Sequence, residues 1–398
     1  MSVFNAVAMA PRDPILGIKE QFAADTRPRK VNLGVGVYCD DQGKLPLLQC
    51  VMAAEKAMSE APKPRGYLPI DGIAAYDAAV KALVFGDDSE PVRSGRVATV
   101  QAIGGTGGLK VGADFLKKLN PDAAVMISDP SWENHRALFA GAGFTVQSHP
   151  SYDAARRDVN FDGMIGALNA AAAGTVVVLH ACCHNPTGYD ITPAQWDQVV
   201  AACKGRALVP FLDMAYQGFG SGIREDGAAV QKFVDAGLCF LVSTSFSKSF
   251  SLYGERVGAL SVLCQNKDEA SRVLSQLKIA IRTNYSTPPT HGGAVVAAVM
   301  ANPQWRAMWE KELGEMRLRI KTMRQKLVDG LKAAGVQQDM GFITRQIGMF
   351  SYSGLSQQQM VRLREEFGIY GTDSGRMCVA ALNSQNIDYV CASIAKVI

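Results

Sequence analysis

The segment VSTSFSKSFSLYGERVG sets Lys248 among Ser245, Ser247, Ser249 and Ser251, with Arg256 a short way downstream. A lysine in a partly desolvated pocket beside a second cation has its ammonium form disfavoured, which frees the amine to attack a carbonyl. The hydroxyls and the guanidinium fork supply phosphate ligands close by. Taken alone, an SxSK loop reads as solvated surface, so the neighbouring stretches decide. In IGGTGGLKVGADF, Gly104, Gly105 and Thr106 open a helix after a strand, so bare backbone N–H groups and a hydroxyl face an anion at the positive helix end. Steric packing explains such glycines equally well in isolation. The dinucleotide spacing GxGxxG fails, because Lys110 stands at its third glycine, and this argues against a nicotinamide oxidoreductase.

Two further stretches supply an acid, a phenol and an amide. FLDMAYQGF has Asp213 at a strand end followed by Tyr216, and HNPTG has Asn185 after another strand end. A carboxylate paired with a pyridinium nitrogen keeps such a ring protonated, while a phenol and an amide can bind a ring oxygen. DPSWENHRALF offers Trp132 as a stacking plate and His135 as a partner for a carboxylate. His180, Cys182, Cys183 and His184 in HACCHNPTG could suggest zinc. Adjacent cysteines in an extended segment point to opposite faces and no second ligand pair recurs, so no metal is expected.

The elements that must position these residues alternate along the middle of the chain. Apolar runs at 97–100, 124–128, 175–180, 208–213, 240–245 and 258–262 are separated by helical stretches, one from about Gly107, which predicts an α/β domain with a largely parallel sheet. Asn302 and Pro303 open a long helical pattern carrying Trp305, Met308, Trp309, Met316, Ile320, Met323, Leu327 and Leu331 until Gly335, a spine between two units. Met349–Ser353 and Met377–Ala380 read as strands around the helical LSQQQMVRLREEFG, a smaller α+β unit. The expected division is 1–45 as arm and first part of the small domain, 46–315 as the large domain, and 316–398 as the rest of the small domain. With 41 basic and 37 acidic residues and no basic stripe, nucleic acid is not indicated. No apolar run approaches membrane length, and the start resembles no export signal. Nine scattered cysteines without CxxC fit reduced thiols in a cytoplasm.

Together these motifs resemble the fold-type I, class I pyridoxal-phosphate aminotransferases of the aspartate and aromatic amino-acid branch. The resemblance runs from DPILGI through VNLGVGVY, GYLPIDG, WENH, CCHNPTG, SFSKSFSLYGERVG and NYSTPP to GMFSYSGL and SGRMCVA. It implies a large domain with a mostly parallel sheet flanked by helices, and a smaller α+β domain. It implies Lys248 as the Schiff-base lysine and general base, and Gly104, Gly105, Thr106, Ser245, Ser247 and Arg256 around the phosphate, joined by Tyr67 from the neighbouring subunit of a homodimer. It further implies Asp213 on the pyridine nitrogen with His135 behind it, Asn185 and Tyr216 on the 3-oxygen, and Trp132 stacked on the ring. Arg376 with Asn185 would grip the substrate α-carboxylate, Arg282 would reach the distal carboxylate across the dimer, and Gly36 would close over the substrate. WENHRALFAGAGF and GRMCVAALN look more like the bacterial aromatic enzyme, which implies aromatic amino acids with 2-oxoglutarate; aspartate is the alternative. Thr372 and Asp373 depart from the family pattern just before Arg376, and Asp373 could alter the local field.

Overall fold

The computed structural model describes residues 2–11, 13 and 15–398, so Pro14 of the DPILGI motif lies outside the described residues. Seven strands make the central sheet: β1 (Val97–Ile103), β2 (Ala124–Asp129), β3 (Thr145–Pro150), β4 (Val176–His180), β5 (Val209–Met214), β6 (Phe240–Ser245) and β7 (Val257–Leu263). Their order in space is β1-β7-β6-β5-β4-β2-β3. β7 runs antiparallel to β1 and β6, and the other pairings are parallel. Six of these strands carry apolar runs because both sheet faces are covered: Val176 and Val178 enter one core cluster while Val177 and Leu179 enter the other. β3, TVQSHP, is not among the predicted strands. It is a polar, largely exposed edge strand with no apolar run to betray it.

The helix predicted from about Gly107 begins at Gly104 and runs to Leu119. Its glycines let the axis lie directly on the sheet. A Cβ on Gly108 would stand 2.6 Å from Ser243 Oγ and 2.8 Å from the Ala259 carbonyl oxygen, and one on Gly112 would stand 2.5 Å from the Phe211 ring.

The smaller unit pairs Val31–Asn32 in parallel with Ile369–Tyr370, and Phe350–Tyr352 antiparallel to Arg376–Cys378. The predicted strand through Ala380 stops at Cys378. There the Cys378 N–H turns to the Leu33 carbonyl and Val379–Ala381 tightens into a 3₁₀ turn. Helices Gln357–Phe367 and Ile387–Val397 cover this unit.

The spine is a single helix, Pro303–Ala333, capped by the Asn302 side chain on the N–H groups of Gln304 and Trp305. It passes without a break through the boundary expected at 315/316. Near its start Trp309 donates its indole N–H to the Ser249 carbonyl at 2.8 Å and stacks on Phe250. Met308, expected on the apolar face, is exposed. Arg324, not anticipated, is buried in the spine and donates to the carbonyls of Ile343, Gly348 and Phe350. Burial pushes its guanidinium down to about 10, so it stays charged at neutral pH with carbonyl dipoles as its neighbours. Among the described residues no helix is long and apolar enough to cross a membrane, and the nine cysteines are free thiols.

Gly108→Ala tests the close approach of helix to sheet. Because one clashing atom is backbone, the variant should lose about 1–3 kcal/mol, seen as an earlier midpoint of thermal unfolding. An unchanged midpoint would show that the helix can lift away freely.

Candidate active site

The residues singled out in the sequence gather at the carboxyl edge of the sheet, where open α/β sheets form their ligand crevices. Register does the first part of the work. Asp213, near the end of β5, sits opposite His180 on β4 and Ser243 on β6. The chain leaves β6 into a tight turn that carries Lys248, and leaves β1 directly into the helix beginning at Gly104.

Asp213 is buried, and its Oδ2 lies 2.8 Å from His135 Nε2. A carboxylate can only accept, so Nε2 donates, and Nδ1 is hydrogen-bonded to the Ser131 hydroxyl at 2.9 Å. Burial works against the charge on Asp213. The hydrogen bond from His135, together with the charge interactions of His135, His180 and Lys248, outweighs it and holds the carboxyl below its ordinary range. Behind His135 stand the rings of His180, 5.0 Å away, and His184, 4.4 Å further on. Burial pushes His180 down to about 3 and His184 well below the usual imidazole range, so both are neutral at physiological pH.

Lys248 Nζ lies 5.0 Å from the centroid of the Tyr216 ring. Burial lowers its amine to about 8; Asp213 opposes this and the charge of Arg256 adds to it. Burial pushes the Tyr216 phenol well above its ordinary value. Arg256 donates to the Ser247 hydroxyl and to the Tyr253 carbonyl, and its own carbonyl accepts from the Gly104 N–H. Gly104 has a φ of +71°, and a Cβ there would lie 2.5 Å from the Arg256 guanidinium; one on Gly105 would meet Ser245. The helix has no side chain capping its first turn, which leaves the N–H groups around Thr106 for another acceptor. Trp132 meets His135 edge-on at 5.2 Å.

Arg376 is 1 % exposed and reaches across from the small unit. Its Nη1 donates to Asn185 Oδ1 at 3.0 Å and Nη2 to the Gly34 carbonyl at 2.8 Å, while Nε has no partner. The guanidinium lies 4.4 Å from the Phe350 ring centroid, and Glu133 Oε2 is 3.8 Å from Nη1. Gly36 faces the same ring, where a Cβ would come within 2.6 Å of Phe350 Cζ. Thr372 accepts from the Arg376 N–H, and Asp373 turns outward to pair with Arg364 at 2.7 Å, so its charge is spent on the surface.

Two expected residues are not brought to this crevice by the chain itself. Tyr67 is 97 % exposed, and Arg282 is exposed and donates to Ser286. The cysteine geometry also needs correction. Cys183 takes a left-handed φ of 52°, so the segment is not extended, and the Cys182 and Cys183 thiols come within 4.8 Å of each other and of the Asp226 carboxylate instead of facing apart. Asp226 is fully engaged with the N–H groups of Gly218, Gly220 and Ser221. Glu133 and Ser131 have no part in the sequence reading. Their position beside Trp132 and His135 is the one signal that could have drawn attention to them.

Residues 28–394 match the family model for aminotransferase class I and II. The chain belongs to this family. It is 61% identical over its full length and that of the relative to an aspartate aminotransferase of Pseudomonas aeruginosa. It is 50% identical to the aromatic-amino-acid aminotransferase of Escherichia coli, over 99% of this chain and all of that one. The crystal structure of the aromatic-amino-acid aminotransferase from Burkholderia pseudomallei, covalently bound to pyridoxal phosphate, superposes with a TM-score of 0.97 at 66% identity, with both chains fully covered. The protein is thus a pyridoxal-phosphate-dependent aminotransferase of fold type I.

On this enzyme freed of cofactor, acylation of Lys248 by 4-nitrophenyl acetate should follow a midpoint near 8 and not the ordinary 10.5. Arg256→Gln removes a like charge and should raise the midpoint, whereas Asp213→Asn removes an opposite charge and should lower it. Mapping the acylated lysine by peptide mass spectrometry at each pH checks all three.

Proposed function

We propose that this enzyme transfers the amino group of an aromatic amino acid, tyrosine or phenylalanine, to 2-oxoglutarate by a ping-pong cycle. The observation that carries transamination is one crevice holding both a lysine whose amine is lowered to about 8 and a buried arginine with an unpaired Nε–H, and the aromatic donor is supported by the 66% identical aromatic-amino-acid aminotransferase. The first can hold an aldehyde and move a proton; the second can take a carboxylate.

The residues fit the cofactor. The uncapped helix start, the space at Gly104 that no Cβ could share with Arg256, and the hydroxyls of Ser245 and Ser247 suit a phosphate, with Thr106 beside them. Asp213, kept ionised by His135, suits a protonated ring nitrogen; Asn185 and Tyr216 would hold the ring's oxygen, and Trp132 its face. Pyridoxal phosphate, when bound, withdraws electrons from the substrate Cα. Lys248 would anchor it and, once displaced by the substrate amine, would take the proton from Cα and hold it for return. Burial suits this exchange, because an amine near 8 can both lose and regain a proton at neutral pH. Arg376 and Asn185 would fix the α-carboxylate so that the Cα–H bond faces Lys248, and Gly36 with Phe350 would wall the site from water.

Tyr67 and Arg282 complete the reading from outside the chain. Both side chains stand in solvent, which suits their use in the active site of a second copy, Tyr67 on the phosphate and Arg282 on the distal carboxylate of 2-oxoglutarate. The nine free thiols suit a cytoplasmic compartment, and the two solvent-facing residues suit a homodimer. The second reading, aspartate as preferred donor, is favoured by the 61% identical aspartate aminotransferase.

Specificity constants for tyrosine, phenylalanine and aspartate with 2-oxoglutarate should place the aromatic donors first, and a large aspartate preference would overturn that choice. Lys248→Ala should lose at least about 10²–10⁴ in rate, and full turnover in this variant would defeat the mechanism. Arg376→Lys should raise KM for donor and acceptor alike, costing about 2 kcal/mol or more in kcat/KM. Mixing inactive Lys248→Ala and Arg282→Ala proteins should regenerate activity if the sites are shared between subunits.

A further inference from the structure

We propose that Glu133 is the resident counter-ion of Arg376, a built-in competitor that every substrate α-carboxylate must displace. The proposal rests on the reading of Arg376 as the carboxylate clamp. Arg376 is almost wholly buried, and the groups that touch it closely are neutral: Asn185 Oδ1, the Gly34 carbonyl and the Phe350 ring. A guanidinium so placed, with no negative charge near it, is costly to the empty enzyme. Among the described residues Glu133 is the carboxylate within ion-pair range, its Oε2 3.8 Å from Nη1.

The contact is near enough to neutralise charge and too long to be a hydrogen bond. Glu133 Oε2 is buried and accepts nothing, and Arg376 Nε donates nothing. Two charged groups that face each other with unspent hydrogen-bonding capacity form a pair that a better-aligned carboxylate can beat. The Glu133 side chain keeps 30% of its surface exposed, so it has room to withdraw. It is also the first residue of the helix Glu133–Gly141, whose positive end still favours its charge after it has given up Arg376.

The α-carboxylate is common to amino donor, 2-oxo acid acceptor and both products. Competition at Arg376 therefore weakens all four alike and eases product release; it does not distinguish aromatic from acidic side chains. Such a uniform effect appears in KM more than in kcat.

The test uses purified holoenzyme and 3-indolepropionic acid, a monocarboxylate without an amino group, titrated by calorimetry. Glu133→Gln should bind it about fivefold more tightly, with KM for tyrosine and 2-oxoglutarate falling by a similar factor. Its unligated melting temperature should drop while the rise caused by the ligand grows. A merely structural lesion would weaken binding and lower both melting temperatures together. Glu133→Asp, which keeps the charge on a shorter arm, should fall between wild type and Glu133→Gln. Unchanged or weaker binding in Glu133→Gln overturns the proposal. Arg376→Lys separates the two readings: if it leaves binding of the monocarboxylate unchanged, the clamp assignment fails. If it weakens binding while Glu133→Gln does not tighten it, the counter-ion role alone fails.

Discussion

A carboxylate at the end of a buried strand has to be given a reason to stay charged, and in this enzyme that reason is a set of favourable neighbours led by one hydrogen bond. Asp213 accepts a hydrogen bond from His135 Nε2, and the Ser131 hydroxyl holds the imidazole from its other nitrogen. Burial alone acts the other way and favours the neutral acid. Strand register, the Ser131–Trp132 turn and the start of the next helix all serve to bring these three groups into line. The neutral imidazoles of His180 and His184 pack behind them and add no competing charge.

The opposite polarity is managed on the other side of the crevice. Lys248, Arg256 and Arg376 bring three cations to a small volume, and each is handled differently. Lys248 is pushed toward neutrality by burial; Arg256 stands beside an uncapped helix end; Arg376 faces dipoles, an aromatic ring and Glu133. A phosphate, a carboxylate and an aldehyde are the groups such a trio selects.

Much of this was legible in the chain because the chemistry-bearing residues cluster in short motifs at strand ends. Lys248 with its serines, Asp213 with Tyr216, and the glycines at 104 and 105 announce residue types that few surfaces need. Six sheet strands were readable because burial on both faces writes continuous apolar runs. β3 was not, since an exposed edge needs no such run. Glu133 and Arg324 were hidden for another reason: charged residues at helical positions read as solvated faces until tertiary structure buries them. The opposed cysteines were misjudged because one left-handed residue, Cys183, cannot be inferred from its type. Tyr67 and Arg282 drew their expected roles from family resemblance, since a position in solvent does not itself indicate a partner.

Arg324 has a mechanical side. The helix that carries it, 31 residues long, is a rod of about 46 Å, anchored at one end under the Lys248 turn through Trp309 and Ser249. Farther along, one guanidinium hooks the carbonyls of Gly348 and Phe350 to that rod, and the Ile347 N–H just before them ties to the Gly188 carbonyl in the loop that carries Asn185. Phe350 in turn lies against Arg376 and Tyr216. Arg376, the aromatic ring against it and the loop of Asn185 are thus each tied, directly or through one neighbour, to the same beam. A displacement of that helix would therefore be felt under Lys248, beside Asn185 and behind Arg376 at once, which makes a helix remote from the crevice its common support.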